Sequence, residues 1–307
     1  MPANIGLWTG ADQGKSLAED VKDLITNVDY QRTPFFSSLA ESVATNQLHS
    51  WLTDTYEASE DNAQAEGYEV THSDITPPSR VSNYTQIFGE EVKVTNTQRR
   101  QQHYGMGDPY AYQLKKKMIK LARDFEKAAI AGTKASGASG VASRMDGAIA
   151  QITTNKTARA SGTSLTENEF NDIMQGIFDN GTDVSVDKVF VGGTLKRAIS
   201  SFTAGSTKNV EASDGRLYNS VGIYESDFGV HMVHLCREVP TAANAKGILC
   251  VDSSKWRVAY LQGGELPGTP THTPLAITGS SKKGMLEAEW TLEGLTEKSS
   301  AYRSGYV

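Results

Sequence analysis

Four groups of residues have the types and spacing to do chemistry, and each implies a different reaction. Gly10-Ala11-Asp12-Gln13-Gly14-Lys15-Ser16 looks like a phosphate-cradling loop whose lysine would reach a nucleotide. It has one residue too few between its glycines and no strand-like run before it, so it reads as a polar lead into a helix. Val191-Gly192-Gly193-Thr194 joins a strand pattern to a helix start, where backbone amides could hold an anion. No acid for a ribose or magnesium accompanies it, and two glycines there suit an ordinary turn. His231 and His234, with Cys236 beyond, suggest a metal. On a regular strand, residues three apart face opposite sides, so the two imidazoles cannot converge. Glu287, Glu289 and Glu293 share one strand face, as an acid–base pair would, but nothing in the sequence sets one carboxyl above another. They read as a solvated outer face. With no G-x-S-x-G elbow either, the expectation is no catalytic residue, no cofactor and no metal.

The elements that would position such groups are unevenly spread. Ser16 can cap a helix carrying Leu17, Val21, Leu24, Ile25 and Val28 at helical spacing. Thr33-Pro34 has the form of an N-cap followed by proline at the first helical position, with Phe35, Phe36 and Leu39 as an apolar anchor. Residues 1–47 therefore form an arm of two short helices, too small for a core of its own. LHSWLTDTYE then alternates as a strand does, and RVSNYTQIFGEEVKVTNT is a second strand-like run rich in Val, Tyr, Thr, Ile and Phe. The polar stretch between them is too long for a loop inside a compact domain. A long projecting hairpin accounts for it.

Asp108 as N-cap and Pro109 at the first position open the strongest helix, with a stripe of Tyr110, Leu114, Met118, Leu121, Phe125 and Ala129 reaching toward Gly132. At about 1.5 Å per residue it is about 35 Å long. After the flexible composition of GTKASGASG, Thr166-x-x-Glu169 is a capping box that opens a second module. The strand VDKVFVGG, a helix from Thr194 to Phe202, and strands at VGIYE, VHMVHL and GILCV follow. Finally GMLEAEWTLEGL sets Leu286, Ala288, Trp290 and Leu292 against Glu287, Glu289, Thr291 and Glu293, a half-buried strand. The fold class expected is α+β.

Across 307 residues, 30 Lys and Arg stand against 36 Asp and Glu, a net charge of −6. That balance disfavours a protein that grips nucleic acid over its whole surface. The two cysteines, Cys236 and Cys250, fit neither a redox pair nor a zinc knuckle and are expected to be reduced thiols. No secretory signal or membrane-spanning run is visible, so the chain is expected to be soluble, intracellular and without a membrane partner. Charge is strongly segregated. No Lys or Arg lies between Arg32 and Arg80, whereas Asp54, Glu57, Glu60, Asp61, Glu66, Glu69 and Asp74 make the hairpin an acidic limb. Residues 93–127 instead carry Lys93, Arg99, Arg100, Lys115, Lys116, Lys117, Lys120, Arg123 and Lys127 against three acids. The plain reading of both is a pair of solvated faces; the sharper reading is one copy's acidic limb lying over another copy's basic region.

Read in order, helical arm, long hairpin, long helix, α+β module and returning strand resemble the HK97-like fold of tailed-phage major capsid proteins. Trp51, Glu66-Gly67, Arg80-Val81-Ser82-Asn83-Tyr84-Thr85-Gln86, His103-Tyr104-Gly105, Tyr112-Gln113-Leu114 and Arg123-Asp124-Phe125-Glu126 are similar to the SU10-type major head protein family. So are Tyr224-x-x-Asp227-Phe228-Gly229 and Glu289-Trp290-Thr291-Leu292-Glu293. The resemblance implies an N-arm at 1–47, an E-loop at 48–92, a peripheral domain at 93–164 with a spine helix at 108–131, an axial domain at 165–274, and a peripheral return strand at 275–307. It further implies hexamers and pentamers of an icosahedral shell around double-stranded DNA, a virion location after assembly in the host cytoplasm, and portal, scaffolding and decoration proteins as partners.

On this reading Trp51, Glu66, Tyr84, Gln86, Arg99 and Arg100 are the candidate inter-subunit contacts. Lys115, Lys116, Lys120 and Arg123 are candidates to face the lumen and touch DNA weakly and without sequence preference. The arm and hairpin would bury their apolar residues on neighbouring copies. Two alternatives stand beside it: an encapsulin-like shell around protein cargo, and a phosphate-binding enzyme built on Gly192-Gly193 or Lys15.

Overall fold

The computed structural model describes residues 32–57, 59–70, 76–103, 105, 107–180, 186–202, 222–261 and 270–307. The phosphate-loop-like segment, the helix expected after Ser16, and Tyr104 lie outside them. In chain order the elements are β1 (Ala40–Ala44), β2 (Leu48–Thr53), β3 (Ser79–Tyr84), β4 (Gln86–Thr95), α1 (Asn96–Arg100), α2 (Pro109–Ala131), α3 (Ala148–Gln151), β5 (Lys156–Thr163) and α4 (Glu167–Asp179). They continue with β6 (Lys188–Val191), α5 (Gly193–Ser201), β7 (Ile223–Ser226), β8 (Gly229–Leu235), β9 (Lys246–Val251), β10 (Trp256–Leu261), β11 (Thr271–Pro274), β12 (Ser281–Gly294) and β13 (Ala301–Tyr306).

The period-two pattern of β12 organises the first sheet. Leu286, Ala288, Trp290 and Leu292 are all buried. β4 pairs antiparallel along one edge of β12, from Ser281↔Thr95 to Trp290↔Gln86. The other edge is shared by β11 and β10, and β1 adds outside β10 in parallel. Helix α2 begins as its sequence dictates, with the Asp108 carboxylate accepting from Tyr110 N–H and Pro109 in the first turn. It lays Leu121, Phe125, Ala129 and Ile130 on that sheet. Phe125 meets Trp290 edge-on with ring centroids 5.0 Å apart, and Phe88 completes the cluster. Each such side chain contributes about 1.5–3 kcal/mol by leaving water. The stripe is imperfect at Met118, which stays 44% exposed.

The second sheet runs β5-β13-β9-β6-β8-β7. Thr166 caps α4 by accepting from Glu169 N–H, and α4 and α5 cover one face with Phe170, Ile173, Met174, Ile177, Leu195 and Ile199. Alternate residues of the central strands look opposite ways. Val189, Val191, Ile248, Cys250, Ala301 and Tyr306 join the core under these helices, whereas Phe190, Leu249, Val251 and Tyr302 join the α2 core.

Three sequence expectations change. The described part of the arm buries its aromatic residues on its own chain: Phe35 is fully buried against Phe190 and Trp256, Phe36 stacks on Trp290, and β1 joins the sheet, although Val43 stays 49% exposed. The turn after Thr33-Pro34 is a 3-10 turn at Phe36–Ser38, not a full helix. The second hairpin strand breaks at Thr85: β3 pairs with β2, but β4 belongs to the sheet, so the two-stranded limb ends at Tyr84 rather than near 92. Both sheets draw strands from the 165–274 and 275–307 spans. β10 and β11 sit beside β12, while β13, unmarked in the sequence reading, pairs with β9 and β5 in the other sheet.

Candidate assembly surfaces

The hairpin has a buried root and an exposed tip. His49, Trp51, Asn83 and Val81 share the face turned toward the body, since His49↔Asn83 and Trp51↔Val81 are directly opposed. Asn83 is 1% exposed. Its amide donates to Leu292 O at 2.8 Å and Asp146 O at 3.1 Å, and its side-chain oxygen accepts from Asp146 N–H and Tyr84 N–H. Trp51 Nε1 donates to Gly294 O at 3.0 Å. His49 Nε2 lies 3.5 Å from Glu293 Oε2. That imidazole, with help from Ser42 and Arg257, holds the Glu293 carboxyl below the usual carboxylate range despite burial. Glu289 accepts from Thr85 Oγ at 2.5 Å. The acidic face of β12 is thus partly enclosed rather than solvated, because the hairpin root lies on its last residues.

Trp51 therefore contacts its own chain. Gln86 accepts from Met145 N–H at 3.2 Å. Tyr84 is half-buried, with the Lys134 ammonium 5.4 Å from its ring centroid. Beyond the root, residues 54–57, 59–70 and 76–80 are exposed throughout, Glu66 among them, with Tyr56 at 103% and Val70 at 66% of full exposure. Arg99 and Arg100 are exposed at the end of α1, Arg99 Nε lying 4.0 Å from Asp108.

The cations of α2 fall into two groups. Lys115 and Lys116 are exposed, Lys116 beside the Tyr112 ring. Lys120, although exposed, pairs with Glu90, which also binds Lys117 at 2.6 Å, and its ammonium lies 3.7 Å from Asp124. Burial works to raise the Glu90 carboxyl, but the two ammoniums outweigh it and hold it low. Arg123 is half-buried. A groove of about 500 Å³ beside this pairing is lined by Ile87, Glu90, Asp124, Lys127 and Arg144 among others.

The residues singled out for chemistry sit in structural roles. His231 is buried, its Nδ1 2.6 Å from Val186 O and its Nε2 2.7 Å from Ser226 Oγ, and burial holds its pKa below the usual imidazole value. His234 turns to the other side of β8 and stacks on Phe190. Among the described residues no group of three or more His, Cys, Asp or Glu side chains could hold a metal. Gly192 caps α5 where a Cβ would strike Thr241. Cys236 and Cys250 are buried thiols, each pushed up to about 12. No helix among the described residues is long and apolar enough to cross a membrane.

Sequence reasoning quoted Glu126 within a family-like run but gave it no role of its own. Although 2% exposed, its carboxylate accepts from Phe35 N–H at 2.9 Å and Phe36 N–H at 2.6 Å, pinning the start of the described chain to α2. Burial raises its pKa against the pull of those amides. An acid on the apolar side of the Phe125 stripe was the available signal.

With this geometry in place, comparison with known proteins is decisive. The profile of the SU10 major capsid protein family matches residues 7–305. The chain belongs to that family. This capsid-family protein is 33% identical over 132 residues to the major capsid protein of Escherichia phage Phieco32, a match spanning 42% of this chain and 37% of that relative. Its fold is HK97-like. It superposes on the capsid of the native GTA particle with a TM-score of 0.68 at 12% identity, covering 97% of this chain and 98% of the other. The holo-SrpI encapsulin complex of Synechococcus elongatus PCC 7942 gives a TM-score of 0.62 at 12% identity, covering 98% and 96%.

Proposed function

We propose that this protein is the shell-forming subunit of a tailed-phage head, assembling as hexamers and pentamers into an icosahedral container for double-stranded DNA. Family membership supplies the class. The observation that carries the mechanism is the limb: a firmly seated root extends a tip whose aromatic and apolar side chains are left in water. Exposed apolar groups rimmed by charge mark contact surfaces, and burying them on a neighbour would favour association. The role is structural rather than catalytic. Glu66, Arg99 and Arg100 are retained as inter-subunit contacts, Lys115 and Lys116 as lumen-facing cations. Scaffolding, portal and decoration proteins would join assembly in the host cytoplasm.

Electron microscopy of the purified chain and of particles from infected cells tests this. Closed icosahedral shells that contain DNA support it. Shells filled with a protein cargo would favour the encapsulin-like reading, and a chain that stays monomeric at every concentration would contradict both.

A further inference from the structure

Strand β4 borders the first sheet, and among the described residues only β12 pairs with it. Two hydrogen bonds show which of its backbone groups face outward. Asn96 N–H donates to Ser280 O, one step beyond the Thr95↔Ser281 pair, and on the far side of β12 Leu275 N–H donates to Lys283 O. Hydrogen-bonded and non-hydrogen-bonded pairs alternate along an antiparallel ladder. The even-numbered residues of β4 therefore bond β12, and the odd-numbered ones aim N–H and C=O away from it. Gly89, Glu91 and Lys93 make no other backbone hydrogen bond to a described residue. Their side-chain face is open too: all three are exposed, and a Cβ on Gly89 would meet nothing within 4 Å. An open edge of this kind is a template for another strand.

The charges on this edge complement themselves. Glu91 and Lys93 share one face, two residues apart, and neither forms an ion pair among the described residues. Lys93 directly opposes Lys283 across β4 and β12, a like-charge pair that weakens the ladder. Turn a second β4 antiparallel about a two-fold axis at Val92, and its Glu91 stands opposite Lys93 while its Lys93 stands opposite Glu91. The residues so opposed are odd-numbered, the ones with backbone groups free to exchange. Moving the axis one residue either way sets Glu91 on Glu91 or Lys93 on Lys93. From this placement we infer that β4 pairs with β4 of a second copy over residues 89–95, with Glu91 against Lys93, fusing two first sheets into one. Acids of a limb, or DNA phosphates, would answer Lys93 but repel Glu91. The same register brings the second copy's α1 to the groove beside Gly89, Glu90 and Asp124. Such a contact is isologous and closes on itself. It ties subunits in pairs, and its role as a joint rests on the shell-forming reading above.

Charge reversal and cross-linking test the pairing and its register. Glu91→Lys and Lys93→Glu each replace two opposite-charge pairs by two like-charge ones and should weaken pairwise association about tenfold, lowering shell yield. Lys93→Glu should at the same time raise the isolated chain's Tm, because it removes the repulsion with Lys283. The two changes combined in one chain should restore shells. Glu91→Pro deletes an N–H that β12 does not use, so that chain should keep the circular dichroism of the unmodified one and lose closed shells. For the register, a Glu91→Cys chain is mixed with a Lys93→Cys chain. Directly opposed residues in such a pair lie about 5.5 Å apart at Cα, within disulfide reach. Oxidation of the mixture should link subunits, while neither chain alone does so and the buried native thiols do not compete. Normal shell yield from Glu91→Pro, no disulfide from the mixture in intact shells, or a disulfide from either chain alone overturns the pairing and leaves the shell-forming reading standing. A disulfide-linked dimer from the mixture, with no shells from the unmodified chain, would keep the pairing and overturn the shell-forming reading; neither shells nor disulfide would overturn both.

Discussion

The root and the tip of one hairpin obey opposite rules. At the root every polar group of Asn83 is used and Trp51 is 8% exposed; at the tip Tyr56 is as exposed as a tyrosine can be. The root is anchored by contacts with residues some 60 to 240 positions away, the tip by none described. A single supersecondary element therefore combines a part that serves the fold of its own chain with a part whose burial waits for another.

Four measurements would sharpen or break that contrast. Trp51→Ala should have the largest effect on the isolated chain, lowering the unfolding free energy by about 3–5 kcal/mol in denaturant titration through loss of a buried aromatic. Asn83→Ala strands the Asp146 N–H and two carbonyls and should cost about 1–3 kcal/mol, with a lower Tm. Acid should loosen the root: because Glu293 has a folded pKa below its unfolded value, the stability it contributes is present above about pH 4.5 and is lost as pH falls through the lower folded value. Glu293→Gln should flatten that slope in chemical denaturation across pH. Smallest is deletion of residues 59–70, expected to change the chain's stability by less than about 0.5 kcal/mol. The same deletion should abolish closed shells in electron micrographs, and a large stability loss instead would show the tip to be part of the fold.

Much of the fold was legible because its signals are local. Asp108-Pro109 opens α2 and Thr166 with Glu169 opens α4 where the capping chemistry demands, and the alternation from Leu286 to Leu292 fixes the buried face of β12. What escaped was decided at long range. No glycine or proline marks the break at Thr85; it arises because Asn83 finds Leu292 and Asp146, Tyr84 O finds Thr291, and β4 finds β12. Strand β1 follows a turn that Glu126 holds from α2, a partnership of positions 35 and 126 that no window of sequence displays. The limb's acidic character was visible at once, whereas the meeting of Lys93 and Lys283 in register is displayed only by the sheet.

The second sheet has a mechanical consequence. Phe190 and Leu249 face the long helix while their neighbours Val189, Ile248 and Cys250 face α4 and α5, so one set of strands is the wall of two rooms. Two lobes joined by a linker could swing about it; two lobes sharing a wall cannot. Force on either layer passes through the backbone ladder into the other, because the same strands carry both cores.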